Sequence, residues 1–162
     1  MVKHTKAKVI DTRKTVPGLR PLDKLAVKLG GCANHRIGLY DMFLIKDNHI
    51  EVAGSITKAV GACVKYNKKH CTKFKIEVET KNLKEVEEAL TTKVDIIMLD
   101  NFEIDEMTKA VKLINGKCKV EASGGVNLDT VKTIAETGVD FISVGALTHS
   151  VKALDISLEI TL

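Results

Sequence analysis

The chain has 162 residues, enough for one domain around a single hydrophobic centre, and carries 25 Lys and Arg against 21 Asp and Glu for a net charge of +4. So mild and evenly spread an excess, with four Phe, two Tyr and no Trp, argues against a nucleic-acid reader, which needs a concentrated basic face and aromatic stacking groups. Cys32, Cys63, Cys71 and Cys118 show neither C-x-x-C pairing nor zinc spacing and read as reduced thiols; no membrane-length apolar run and no apolar signal core follows Met1, so a cytoplasmic protein is expected.

Val9-Ile10 reads as a short strand ending in Asp11-Thr12-Arg13-Lys14-Thr15, and Pro17-Gly18 turns the chain. Pro21 opens a helix with an apolar stripe of Leu22, Leu25, Ala26 and Leu29, which Gly30-Gly31 ends. After a loop with Asn34-His35-Arg36, a second strand, Met42 to Ile45, delivers Lys46-Asp47-Asn48-His49 at its C-terminal end, where parallel α/β folds carry their chemistry. Ile56, Ala59, Val60, Cys63 and Val64 give a helix over 55–66. Phe74, Ile76 and Val78 alternate with Lys75, Glu77 and Glu79, so both glutamates share one face of a third strand. A helix through Leu83, Val86, Ala89 and Leu90 precedes a fourth strand, Ile96 to Leu99, tipped by Asp100.

Ile104, Met107, Ala110, Val111 and Ile114 define the next helix, and Lys119 to Ala122 a strand running into Ser123-Gly124-Gly125. Asn127 is placed as the cap of a helix that buries Val131, Ile134 and Ala135, before a sixth strand, Phe141 to Val144, tipped by Gly145. Strict alternation predicts a parallel sheet with right-handed crossover helices. The expected fold is therefore one α/β domain over 1–162, an open (incomplete) TIM-like barrel of about six parallel strands, since a closed one has eight. The alternating run Leu154 to Ile160 reads as a further C-terminal strand without an evident partner, an aggregation risk if left uncovered.

The strand C-termini would bring together a cationic group (Arg13, Lys14, Lys46 with Asn48 and His49, joined by His35 and Arg36), a carboxylate group (Glu77, Glu79, Asp100 with Asn101) and glycine-bearing turns (Ser123, Gly124, Gly125, Gly145). Taken singly, His35-Arg36 reads as solvated loop, the acids as partners of nearby lysines and the glycines as ordinary turns. Together they suit a ligand with carboxylates, a metal-chelated pyrophosphate and a terminal phosphate. Like charges at one mouth repel unless an anion offsets them, and acids on an inward strand face are costly unless paired or metal-bound. Magnesium is the cation such oxygens favour.

Seven stretches in order, Asp11-Thr12-Arg13-Lys14-Thr15-x-Pro17-Gly18-Leu19-Arg20, Asn34-His35-Arg36, Ile45-Lys46-Asp47-Asn48-His49, Glu77-Val78-Glu79, Leu99-Asp100-Asn101-Phe102, Glu121-Ala122-Ser123-Gly124-Gly125 and Val144-Gly145-Ala146-Leu147-Thr148-His149, make the chain resemble the C-terminal domain of the quinolinate phosphoribosyltransferases. The resemblance implies an open barrel that joins quinolinate to phosphoribosyl pyrophosphate with magnesium, giving nicotinate mononucleotide, pyrophosphate and CO2 in NAD biosynthesis. On matching positions it assigns Arg13, Lys14, His35 and Arg36 to the quinolinate carboxylates. Lys46, Glu79 and Asp100 would face ribose, pyrophosphate and metal as the catalytic set, with Glu77 in support. Ser123, Gly124, Gly125, Gly145 and His149 would take the ribose phosphate, and Glu79 and Asp100 the metal.

Two departures accompany the resemblance: Cys32 stands where a third glycine is usual, and the family's N-terminal domain, which lends a neighbouring barrel an arginine, is not in this sequence. The resemblance also implies a homodimer or higher homo-oligomer, with a separate chain as one source of the other domain. A related phosphoribosyltransferase for another aromatic acid and an inactive, partner-dependent module that keeps the ligand site are the alternatives.

Overall fold

Six apolar segments pair in parallel to make the frame. In the computed structural model, which describes residues 1–161, β1 (Lys8–Ile10), β2 (Phe43–Ile45), β3 (Ile76–Thr80), β4 (Ile96–Asp100), β5 (Lys119–Ser123) and β6 (Phe141–Ser143) form one sheet in the order β1-β6-β5-β4-β3-β2. A closed barrel would pair β1 with β2; here they are the two edges, so the barrel is open between them. Ala33 enters that gap, bridging Ile10 and donating its amide to Val9 O at 2.9 Å.

Helices α1 (Arg20–Leu29), α2 (Asp47–Ala53), α3 (Ile56–His70), α4 (Leu83–Leu90), α5 (Ile104–Ile114), α6 (Val131–Glu136) and α7 (Ala146–His149) connect and extend the strands. The period-two geometry of a strand sends alternate side chains to opposite faces. Ile45, Val78, Ile97, Leu99, Val120, Ala122 and Ile142 join Val60, Val86, Ala110, Ile114 and Ile134 from the helices in the buried core. Each larger aliphatic side chain there contributes roughly 1.5–3 kcal/mol. Their neighbours in sequence, Leu44, Glu79, Met98, Glu121 and Ser143, line a cavity on the other side.

Several expectations change. In α1 the buried residues are Lys24 and Val27, whereas Leu22, Leu25 and Leu29 are exposed; a buried ion pair of Lys24, described below, sets the rotation of the helix and turns the leucines out. Asp47-Asn48-His49, given no secondary structure by the sequence pattern, forms the first turn of α2. Asn127 does not cap α6 directly: its Oδ1 accepts the Asp129 and Thr130 amides, and Thr130 holds the N-cap position. The run Leu154 to Ile160 makes no strand, and Leu154, Ile156, Leu158 and Ile160 are each at least 80% exposed. Alternation supplies an apolar face, but a strand also needs a hydrogen-bonding neighbour and a surface to cover.

Candidate active site

At the C-terminal ends of the strands lies a cavity of about 830 Å³. Arg13, Lys14, His35, Arg36, Lys46, Glu79, Asp100, Ser123, Gly124, Gly125, Gly145 and His149 all line it. Glu77 lies beneath, fully buried. Asn48 and His49 do not line it: the His49 ring accepts the Lys46 amide at 2.9 Å and so secures the start of α2.

The cationic side is built by two loops. Arg13 and Lys14 follow β1, and Arg36 comes from the segment crossing the open edge, its Nη1 donating to Met42 O at 3.2 Å. The Nε atoms of Arg13 and Arg36 are buried without a hydrogen-bond partner. Burial, and next the neighbouring charge of Arg13, lower the pKa of Arg36. Two guanidinium groups lining one cavity with unsatisfied donors can receive an oxyanion. Lys14 is tied to α7, its carbonyl accepting Thr148 Oγ1 at 2.7 Å.

His35 sits over a carboxylate pair. Its Nδ1 accepts the Arg36 amide at 2.7 Å, and its Nε2 lies 2.9 Å from Glu77 Oε2 and 3.4 Å from Glu121 Oε2. An Nδ1 that accepts keeps its lone pair, so these hydrogen bonds assign the hydrogen to Nε2. Burial works to lower the ring's pKa, but the contacts with Glu121 and Glu77 reverse this and raise it from 6.5 to about 10. Burial first, and then the charge of Glu121, push the Glu77 carboxyl up as well. Both shifts call for one extra proton in the cluster. That proton is shared within the cluster, where Glu77 Oε1 and the Glu121 oxygens otherwise lack hydrogen-bond partners.

His35 therefore shapes the floor, and neither ring nitrogen is left for a substrate carboxylate. Among the described residues His35, Glu77 and Glu121 are the one group of three side chains spaced to hold a metal ion. An Nε2–H ring, however, offers no lone pair in that direction.

On the opposite side Lys46 Nζ donates to Glu79 Oε2 at 2.7 Å, and Asp100 Oδ2 accepts Asn101 Nδ2 at 2.9 Å. Asn101 has φ +55°, and its amide donates to Ser123 O at 2.8 Å, tying the acidic corner to the glycine turn. Gly124 has φ +95°, and a Cβ there would overlap the Asn101 side chain. A Cβ on Gly145 would likewise crowd the His149 ring. Sequence reasoning gave no role to Asp11, Glu121 or Ser143. For Glu121 the signal was its parity with Ser123 on one strand face; for Asp11 it lay in contacts distant in sequence.

Fold and site together define an α/β-barrel protein whose mouth is built for an anionic ligand. Residues 1–159 match the model of the family described as "Quinolinate phosphoribosyl transferase, C-terminal domain", and the chain belongs to that family. It is 52% identical over 167 residues to the chloroplastic nicotinate-nucleotide pyrophosphorylase [carboxylating] of Oryza sativa, covering 94% of this chain and 45% of that protein. It is 53% identical over 154 residues to a probable nicotinate-nucleotide pyrophosphorylase [carboxylating] of Synechocystis, covering 93% and 51%. The solved nicotinate-nucleotide pyrophosphorylase of Francisella tularensis superposes with a TM-score of 0.91 at 47% identity, covering 96% of this chain and 54% of that one. The chain thus spans about half the length of the curated relatives it matches.

Proposed function

We propose that this domain transfers the phosphoribosyl group of phosphoribosyl pyrophosphate to quinolinate with loss of CO2. The observation that carries the reading is the pair Arg13 and Arg36, with buried unpartnered Nε atoms, in one cavity with Lys14, Lys46, Glu79 and Asp100. Arg13, Lys14 and Arg36 take the two pyridine carboxylates, and His35 supports the ring's end of the cavity. Ser123, Gly124, Gly125, Gly145 and His149 receive the ribose phosphate, the open space above Gly125 leaving room for it.

The pyridine nitrogen attacks C1 of the ribose as the bond to pyrophosphate breaks. Positive charge grows on the sugar, where Glu79 and Asp100 stabilise it, while Lys46 stabilises the departing pyrophosphate. The carboxylate next to the ring nitrogen then leaves as CO2; its bonding electrons pass to the ring carbon, beside the pyridinium nitrogen, and a proton completes nicotinate mononucleotide. The chain's task in that step is to orient and desolvate the carboxylate. Magnesium fits the donor chemistry of Glu79 and Asp100, two hard carboxylates on one cavity wall that leave positions for phosphate and water. When bound it neutralises pyrophosphate charge.

Incubation of the chain with quinolinate, phosphoribosyl pyrophosphate and magnesium should release nicotinate mononucleotide and CO2. A folded chain that binds neither substrate in calorimetry would falsify the reading. The second reading, a module that binds ligands but turns over only with a partner domain, predicts binding without product. The exposed Leu22, Leu25 and Leu29 of α1 support homo-oligomerisation or packing against a separate chain that supplies that domain. No helix among the described residues is long and apolar enough to cross a membrane. Action in the cytoplasm is part of the proposal; relatives from Oryza sativa and Nicotiana are named as chloroplastic or mitochondrial, so cell fractionation decides the compartment.

A further inference from the structure

We propose that Asp11 and Lys24 are a positioning pair that fixes the spacing of the two cation-bearing loops, and thereby selects an aromatic dicarboxylate over a monocarboxylate; this rests on the reading of the cavity given above. Asp11 is fully buried at the end of β1, two residues before Arg13. Its Oδ1 accepts Lys24 Nζ at 2.6 Å and the His35 amide at 2.7 Å, and its Oδ2 accepts Asn34 Nδ2 at 2.7 Å. Lys24 Nζ also donates to His35 O at 3.0 Å. Both backbone polar groups of His35 are thereby held, yet neither Asp11 nor Lys24 lines the cavity.

One turn earlier on the same face of α1, Arg20 makes a second tie. Its Nη2 donates to Arg13 O at 3.3 Å, its Nε to Thr15 Oγ1 at 3.0 Å and its Nη1 to Ile37 O at 3.3 Å. The loop after β1 follows Asp11 covalently, whereas the loop bearing Arg36 is tied to it across space by these bonds.

A buried ion pair is a poor source of net stability compared with apolar packing, so what it secures here is geometry. Arg13 and Arg36 repel and push the loops apart; the bonds to Asp11, Lys24 and Arg20 resist. A ligand with one carboxylate can be held by a single loop, while one with two draws on both at a fixed distance. A small misplacement of one loop therefore weakens the dicarboxylate selectively.

Wild type, Asp11→Asn, Asp11→Asn/Lys24→Met and Arg20→Gln are titrated calorimetrically with quinolinate, with nicotinate, and with phosphoribosyl pyrophosphate plus magnesium, folding being checked by thermal melts. The variants should lose quinolinate affinity about 10- to 100-fold while nicotinate and phosphoribosyl pyrophosphate binding change little, so the preference for quinolinate collapses. The double variant avoids a buried unpaired lysine, and Arg20→Gln reports on the second tie even if Asp11 proves essential to folding. Folded variants that keep the wild-type preference, or that weaken all ligands equally, overturn the inference alone. Wild type that binds neither pyridine acid overturns the reading of the cavity and the inference with it.

Discussion

Lys46 Nζ donates to Glu79 Oε2 across 2.7 Å, joining the residue that follows β2 to the inward face of β3. The lysine side chain is 48% exposed and the glutamate 8%, so the charge pair stands on the cavity wall rather than in the core. Lys46→Ala should lower kcat about 10²- to 10³-fold, the scale of losing one group aimed at developing charge. Stability should fall by about 1–3 kcal/mol, because the truncation leaves the largely buried Glu79 carboxylate without its cation. Steady-state rates and urea melts check both; a large loss of stability with rates intact would place the pair in the scaffold.

Arg13 and Arg36 predict opposite effects on binding and folding. Arg36→Ala removes a donor for a carboxylate and should weaken quinolinate by roughly 2 kcal/mol or more, about 30-fold. It also removes a cation whose pKa is lowered first by burial and next by the neighbouring charge of Arg13, so the ligand-free variant should stay within about 1 kcal/mol of wild type. Calorimetry and melts of the free protein measure the two quantities. Equal affinity for quinolinate would remove Arg36 from the site.

The His35 cluster fixes a sign for stability against pH. His35 is raised from 6.5 to about 10, and Glu77 is raised above 4.5. A raised group contributes stability that is full below its unfolded pKa and is lost as pH climbs through the folded one. The Glu77 contribution therefore begins to fade above about pH 4.5, and that of His35 between 6.5 and about 10. The sign holds wherever the shared proton rests, because the folded cluster binds more protons than the unfolded chain. The melting temperature should fall steadily from pH 6 to 10, and Glu77→Gln, with one carboxyl fewer, should flatten that fall. A midpoint that rises over this range contradicts the assignment.

Gly124 and Gly125 differ in a way that substitution can separate. Both have positive φ, +95° and +58°, but a Cβ on Gly124 would collide with Asn101 whereas Gly125 faces open space. Gly124→Ala should cost about 1–3 kcal/mol from backbone strain alone and more from displacing Asn101. Gly125→Ala should cost about 1 kcal/mol and act mainly on phosphate affinity, since Gly125 lines the cavity and a Cβ there meets no protein atom. Chemical denaturation and titration with phosphoribosyl pyrophosphate distinguish the pair; equal losses at both positions would show that the turn tolerates no distinction.

Parity and periodicity are properties of consecutive residues, and they determined much of this protein. The alternation through Ile76 and Val78 committed Glu77 and Glu79 to one face before any partner was known, and apolar strands separated by 3.6-period helices implied parallel pairing. The ordered motifs from Asp11 to His149 indicated which loops meet. What needed the tertiary structure were choices set by contacts between distant residues. The buried face of α1 follows Lys24 because Asp11 lies thirteen residues earlier, so its leucines face outward. The Leu154 to Ile160 run finds no edge to pair with despite its alternation. His35, marked by the sequence as a ligand, spends both ring nitrogens on the Arg36 amide and the Glu77 carboxyl. Local pattern fixes which way a side chain leaves the backbone; the partner that satisfies its charge is decided by packing.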